Sequence, residues 1–257
     1  MQEKYFNVTV KPTIAASKQT AAFGTNDVLF DWHAFDIPSG AARLISITTV
    51  IRGTDAAKQS TDRDLTLLFA KSIDGVAPTS VGTVNATAGG IGFELNIIGK
   101  ARVENTTGEY TAAILDRFSV ASSGYGAAAN QHSFGVLTGE PNTGANVGYD
   151  TIYVAGFTSG SLDFSTTVLA RGGEAAGVTV VETDKGSDDD PDADKIFVPG
   201  DVLHSATDDV LGTVASISAF GSSKQDINFT AATTDIIADN EEIYNIHPVH
   251  FIFSFEK

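Results

Sequence analysis

Apolar and polar residues alternate in short blocks along most of this chain. Residues 5–11 alternate in this way, and so do residues 28–35, which follow the turn Gly24-Thr25-Asn26-Asp27. Residues 43–52 form a longer, β-branched run carrying Leu44, Ile45, Ile47, Val50 and Ile51. Runs at 64–70, 92–98, 111–120, 149–157 and 162–169 follow, each bounded by Gly, Pro, Asn or Asp. A period of two places successive side chains on opposite faces of a strand, and clustered turn residues are the punctuation of an antiparallel sheet. No long segment carries a 3.6-residue apolar stripe, so long helices are not expected. The pattern predicts an all-β protein built on an antiparallel β-sandwich or jelly-roll-like body.

Beyond residue 169 the pattern changes. Arg171-Gly172-Gly173-Glu174-Ala175-Ala176-Gly177 reads as a flexible connector, and residues 184–194 as a dense acidic loop. Four short runs follow at 195–203, 210–217, 225–229 and 242–246. Pro199-Gly200-Asp201-Val202-Leu203 and Leu211-Gly212-Thr213-Val214 resemble the opening strands of a small SH3- or OB-like barrel. The last run, 250–255, places Phe251, Phe253 and Phe255 on one face and is read as returning to the main sheet. Residues 172–247 are therefore expected to be an inserted small β-barrel, with 1–171 and 248–257 forming the sandwich body.

Composition narrows the function classes. A hydrophobic share of 42% sustains a packed core, and 25 glycines suit many tight turns. The net charge of −16 repels phosphate backbones, and no basic stripe overrides it, so direct nucleic-acid binding is not expected. The absence of cysteine excludes disulfides, thiolate nucleophiles and cysteine-ligated zinc. The first residues carry no apolar signal core, and no apolar run approaches the roughly 20 residues of a membrane helix. The product is expected to stay in the cytoplasm that makes it unless it is built into a particle, with no membrane partner and no cofactor.

The densest local chemistry is Asp188-Asp189-Asp190-Pro191-Asp192-Ala193-Asp194. Carboxylates at Asp188, Asp190, Asp192 and Asp194 have the alternating spacing of oxygen ligands in calcium loops. Ala193 stands where the turn glycine belongs, however, and Pro199 where a bidentate Glu belongs, so a solvated acidic turn is the preferred reading. Asp31-Trp32-His33 with Asp36 could stack and bind a sugar; on a strand, Trp32 shares a face with Phe30, which favours core packing. His247 and His250 lack a third ligand for a metal. His132-Ser133 lacks a nucleophile elbow, Gly124-Tyr125-Gly126 lacks the helix of a dinucleotide fold, and Gly99-Lys100 lacks the rest of a P-loop. The glycosylation sequons at Asn7, Asn85, Asn105 and Asn228 are expected by chance in so Thr-rich a chain. No catalytic residue is assigned, and a non-enzymatic role is expected.

Two stretches resemble virion structural proteins of marine tailed phages. One is Val50-Ile51-Arg52-Gly53-Thr54-Asp55-Ala56-Ala57 followed by Leu65-Thr66-Leu67-Leu68-Phe69-Ala70-Lys71. The other is the small-barrel segment ending in Glu241-Glu242-Ile243-Tyr244-Asn245-Ile246. The resemblance implies a capsid decoration or cement protein on the outer capsid surface of a virion. Its partners would be the major capsid protein and further copies of itself, as a homo-oligomer (dimer or trimer). Residues 1–18 are a candidate arm for pairing with a neighbour, the alternative being an ordinary first strand. The rival reading is a tail, fibre or carbohydrate-binding module using Trp32, Tyr125, Tyr149 and Tyr153. A glycan-cleaving enzyme, the third reading, requires two converging carboxylates.

Overall fold

A computed structural model describes residues 4–53, 64–89, 96–103, 110–111, 116–122, 136–160, 162–166, 168–184, 192–219 and 224–257. The alternating blocks become strands. The first half holds β1 (Tyr5–Val10), β2 (Val28–Pro38), β3 (Ala42–Arg52), β4 (Leu65–Ala70), β5 (Ile97–Val103), β6 (Tyr110–Thr111) and β7 (Asp116–Ser122). The second half adds β8 (Val136–Leu137), β9 (Glu140–Pro141), β10 (Tyr149–Thr158), β11 (Val180–Asp184), β12 (Val202–Ser205), β13 (Val210–Ile217), β14 (Lys224–Phe229), β15 (Ile243–Asn245) and β16 (Val249–Glu256). A single α-helical turn, α1 (Ala193–Ile196), lies between β11 and β12.

Two antiparallel sheets make the body. One runs β1-β16-β3-β7-β6 with β8 on β3, the other β2-β10-β4-β5 with β9 on β10. Their inner faces meet as a β-sandwich. β16 supplies the centre, because Phe251, Phe253 and Phe255 are all fully buried on one side of it. Phe251 meets Phe30 of β2 with ring centroids 5.6 Å apart, and Phe253 meets Phe35 at 5.3 Å and Phe69 of β4 at 5.5 Å. Each fully buried ring contributes roughly 1.5–3 kcal/mol. β16 pairs with β1 on one side and β3 on the other, so the run 250–255 does return to the main sheet. Residues 5–10 of the candidate arm form the first strand of this chain's own sheet, paired with β16.

The third sheet runs β11-β14-β13-β12-β15 and encloses a separate core that includes Val168, Val181, Phe197, Leu203, Leu211, Ile227 and Ile243. Residues 168–171 lie between its two outer strands. On one side the Ile243 N–H donates to Val168 C=O and the Ala170 N–H to Glu241 C=O; on the other, Asp184 and Arg171 N–H donate to Leu169 and Glu182 C=O. The glycine-rich connector is hydrogen-bonded as well. Gly172 N–H donates to Asp239 Oδ1, and Glu174 pairs with Ile237. This second core thus begins at Val168, a few residues before the connector.

Several expected strands fall differently. Within the expected run 92–98, residues 91–95 lie outside the described residues, and the strand is β5, beginning at Ile97. Residues 162–169 make only isolated bridges, Phe23 with Leu162 and Leu169 with Glu242. Their apolar side chains, Leu162, Phe164 and Val168, are buried because the segment passes from one core to the other. The run 195–203 divides into α1, a turn and β12. β11 is not among the expected strands; its last residue, Asp184, reads as the start of the acidic loop.

Trp32 does not share a face with Phe30. The β2–β10 register slips between Val154 and Gly156 and again before Phe157. These irregularities turn Phe30 into the main core while Trp32 packs on the outer side with Val28, Val81, Ala155 and Phe157. Gly156 makes room for the slip, since a Cβ there would run into the Phe30 ring.

One buried ion pair joins the body to the third sheet. Arg52, at the end of β3, donates to both oxygens of Asp201 at 2.8 and 3.0 Å and to the carbonyl of Ile196 at 2.5 Å. Asp201 is 6% exposed and also accepts from the Val198 N–H. Nearby, the buried Gln19 amide donates to the carbonyls of Ile14 and Asn245, tying the loop after β1 to β15.

Two stability predictions follow from this packing. Gly156→Ala is expected to destabilise the protein by about 1–3 kcal/mol through overpacking against Phe30. Urea unfolding should show a lower midpoint, and an unchanged midpoint would contradict the close approach. Arg52→Met, which leaves Asp201 buried without its cation, is expected to cost about 3–5 kcal/mol. Adding Asp201→Asn to Arg52→Met should recover part of that loss in the same assay.

Candidate binding groove

Side chains of β10 alternate, so Tyr149, Thr151 and Tyr153 point to the outer face of the second sheet. The register sets them opposite Pro38, Asp36 and Ala34 of β2. Half of this outer face is covered. Residues 79–88 fold over it, with Val81 N–H donating to Asp31 Oδ1, Asn85 N–H to Val28 C=O and Ala88 N–H to Asn26 C=O. The Trp32 indole N–H donates to Thr79 C=O beneath this cover. Trp32 and Asp31 are thereby committed to holding the loop, in agreement with the packing role expected for the tryptophan.

Among the described residues nothing covers the other half of the face, which forms a groove. One depression of about 590 Å³ is lined by Asp36, Asn142, Asn146, Thr151 and Tyr153 among others. A second, of about 430 Å³, adjoins it through Asn142, Thr143, Thr151 and Tyr153 and extends to Ser72 and Glu140. Asp36 is held by three donors: Asn142 Nδ2 at 3.0 Å, Thr151 Oγ1 at 2.6 Å and Asn146 Nδ2 at 3.2 Å. Thr151 Oγ1 also lies 2.7 Å from Asn142 Oδ1. The carboxylate and amides are therefore fixed in direction before any ligand arrives.

Glu140 closes one end of the groove. Its oxygens accept the backbone N–H groups of Asp74 and Gly75 at 2.6 and 2.9 Å, which anchors the turn after β4. The Ser72 hydroxyl and the Gly75 N–H hold its carboxyl below the usual glutamate range. The exposed side chains Ile73, Val76, Val147 and Tyr149 stand on the turns around the groove. The 142–149 segment is tied to the sheet by Asn142 N–H to Tyr149 C=O, and Ser39 N–H donates to Gly148 C=O.

The sequence candidates are scattered. Asp188 and Asp190 lie outside the described residues, as do His132, Ser133, Gly124, Tyr125, Gly126 and Asn105. Asp192 pairs with Lys195 at 2.9 Å, and Asp194 is exposed, with its N–H donating to Gln225 Oε1. Among the described residues, no group of three His, Cys, Asp or Glu side chains is placed to hold a metal ion. Gly99-Lys100 lies within β5. The Asn85 side chain donates to the carbonyls of Lys18 and Ala21, which makes it a structural clamp. Of the expected aromatic set, Tyr153 lines the groove, and Tyr149 stands further along the same face of β10, outside its lining. Asn142 and Asn146 were missed because Asn in a turn-rich segment reads as a turn residue, and Thr151 because it reads only as a polar position of the strand run 149–157. Comparison with protein-family models, with curated proteins and with solved structures finds no match to this chain.

Three imidazoles lie elsewhere. Burial pushes His250 down to about 4, helped by the positive charges of Lys11 and Arg52 and by His247. His33 is lowered by burial and then by His247. Both are neutral at pH 7. The unfolded chain takes up these protons first, so the stability each contributes is complete above about pH 6.5 and is lost as pH falls below it, towards about 4 for His250. Thermal melts from pH 7 to 4 are expected to show a falling midpoint, with a shallower fall in His250→Gln. Parallel profiles for the two proteins would show that His250 does not carry the effect.

Proposed function

We propose that this protein is a non-enzymatic structural component of a phage particle, a decoration protein that binds the outer capsid surface and stabilises the shell. The observation that supports this is the placement of the large exposed apolar side chains. Four of them, Ile73, Val76, Val147 and Tyr149, surround one end of the sandwich. Val210 and Ile236 sit together on the third sheet, where Asp235 accepts from the Val210 N–H and Thr234 donates to its carbonyl. Each copy therefore offers two apolar contact surfaces on two separate cores. A molecule with two such surfaces can bridge neighbouring subunits, and simultaneous contacts multiply weak affinities. Binding only to the assembled shell stabilises it by mass action. The acidic surface resists non-specific association while the protein is free.

The runner-up reading, a tail or fibre recognition module, uses the same loop end and differs in copy number. Mass spectrometry of purified particles separates the two: a number of copies approaching that of the major capsid protein supports decoration, and a handful supports the tail. For decoration, co-sedimentation with capsids is expected to be lost in Val76→Asp/Val147→Asp and weakened in Val210→Asp, with melting temperatures unchanged. Undiminished co-sedimentation of all these variants would remove the two-surface mechanism.

A further inference from the structure

We infer that the outer-face groove of β2 and β10 is a carbohydrate-binding site for a neutral oligosaccharide. The inference goes beyond capsid attachment, although Tyr149 belongs to both surfaces, and it rests on three features of the groove and its surroundings.

The first is a shortage of protons. Thr151 Oγ1 lies 2.6 Å from Asp36 Oδ1 and 2.7 Å from Asn142 Oδ1, and its single hydroxyl hydrogen can serve only one of them. Turning the Asn142 amide over does not help, because it would aim the amide oxygen at Asp36, which its Nδ2 now reaches at 3.0 Å. With that hydrogen on Asn142 Oδ1, Asp36 keeps its two amide donors, and its carboxylate oxygens retain lone pairs that can accept a further donor from outside. A sugar hydroxyl can donate there and accept from the amide hydrogens beside it.

The second is the arrangement around that centre. Carboxylate and amide groups are fixed by one another, so adjacent hydroxyls of one ring meet a prepared pattern of acceptors and donors. Tyr153 lines both depressions and faces the small, exposed Ala34 across the strand pair, leaving its ring open for stacking on a pyranose face. Tyr149 stands four residues away on the same face and is 48% exposed, a second platform beyond the first. The third feature is charge. Asp36 and Glu140 line the groove in a chain of net charge −16, which disfavours anionic glycans and leaves neutral ones. Two adjoining depressions of about 590 and 430 Å³ offer room for more than one sugar ring.

The test is affinity electrophoresis of the full chain through gels containing dextran, xylan, galactomannan or mixed-linkage β-glucan. Any polysaccharide that retards the protein is then titrated calorimetrically as its oligosaccharide. Retardation by at least one is expected, with Tyr153→Ala weakening binding by about tenfold or more and Thr151→Val also weakening it. Tyr149→Ala, at an exposed position, gives the same readout if Tyr153→Ala does not fold, and melting curves establish which variants do. No retardation by any of the four, or binding unchanged in both tyrosine variants, overturns the inference. So does an Asp36-dependent rise in melting temperature with calcium alone and no polysaccharide binding, which would make the oxygen cluster a cation site. Capsid co-sedimentation of the same variants is read separately, so loss of one activity does not decide the other.

Discussion

The body of this protein depends on one face of one strand. β16 lies inside the first sheet, and its three phenylalanines reach across the sandwich to β2 and β4. Phe251 and Phe253 also stack on each other, and Phe255 stacks on Phe6 of β1. Rings this large leave no easy way to collapse around a gap, which makes the register of β16 a fixed quantity. A slip by one residue would turn all three rings to the other face of the sheet. Everything on the opposite sheet is positioned against this seam, including the irregular stretch of β2 and β10 where Phe30 swings inward over Gly156. That irregularity in turn leaves Trp32 outside under its loop, while Thr151 faces Asp36 in the regular stretch of the same strand pair. The groove thus lies on the regular half of a sheet whose other half is bent by core packing.

The third sheet has its own core, yet it is not merely tethered. Arg52 and Asp201 meet in a site with little water, where a bidentate pair is directional and where loss of one partner is costly. Gln19 adds a second polar tie in the same region. Polar locks of this kind specify orientation more sharply than apolar contact does. For a protein proposed to bridge two neighbours, a fixed orientation between its two apolar surfaces is what would transmit force from one to the other.

Much of the fold was legible in the sequence because one physical signal dominated. β1 and β16 each bury one face more than the other, and β3 does so over most of its length, so their alternation survives any surrounding context; β10 alternates only over its first half. β11 was not legible, since its acidic end continues into an acidic loop and charge masked the period. Residues 162–169 misled in the opposite direction: their apolar positions are buried by a passage between two cores, which needs no strand ladder. The face taken by Trp32 could not be read because a bulge changes parity without changing composition. The groove was the least legible feature. Asp36 and Thr151 are 115 residues apart and meet only through strand register, and the amides that complete the site belong to residue types that also build turns.

The pairing of β1 with β16 also sets a timetable. Tyr5 and Glu256 are hydrogen-bonded partners 251 residues apart, and β3 likewise waits for β16. Contacts of such long sequence separation carry the entropy of closing a very large loop before they return any stabilisation. During synthesis the third sheet, whose strands and core are all local to residues 168–245, can form while the sandwich still lacks its central strand. The half-made body would meanwhile expose the apolar edge of β3 and the inner face of β2. Folding of the sandwich is therefore a late, slow event, and the interval before β16 arrives is when the chain is most open to aggregation and to chaperones.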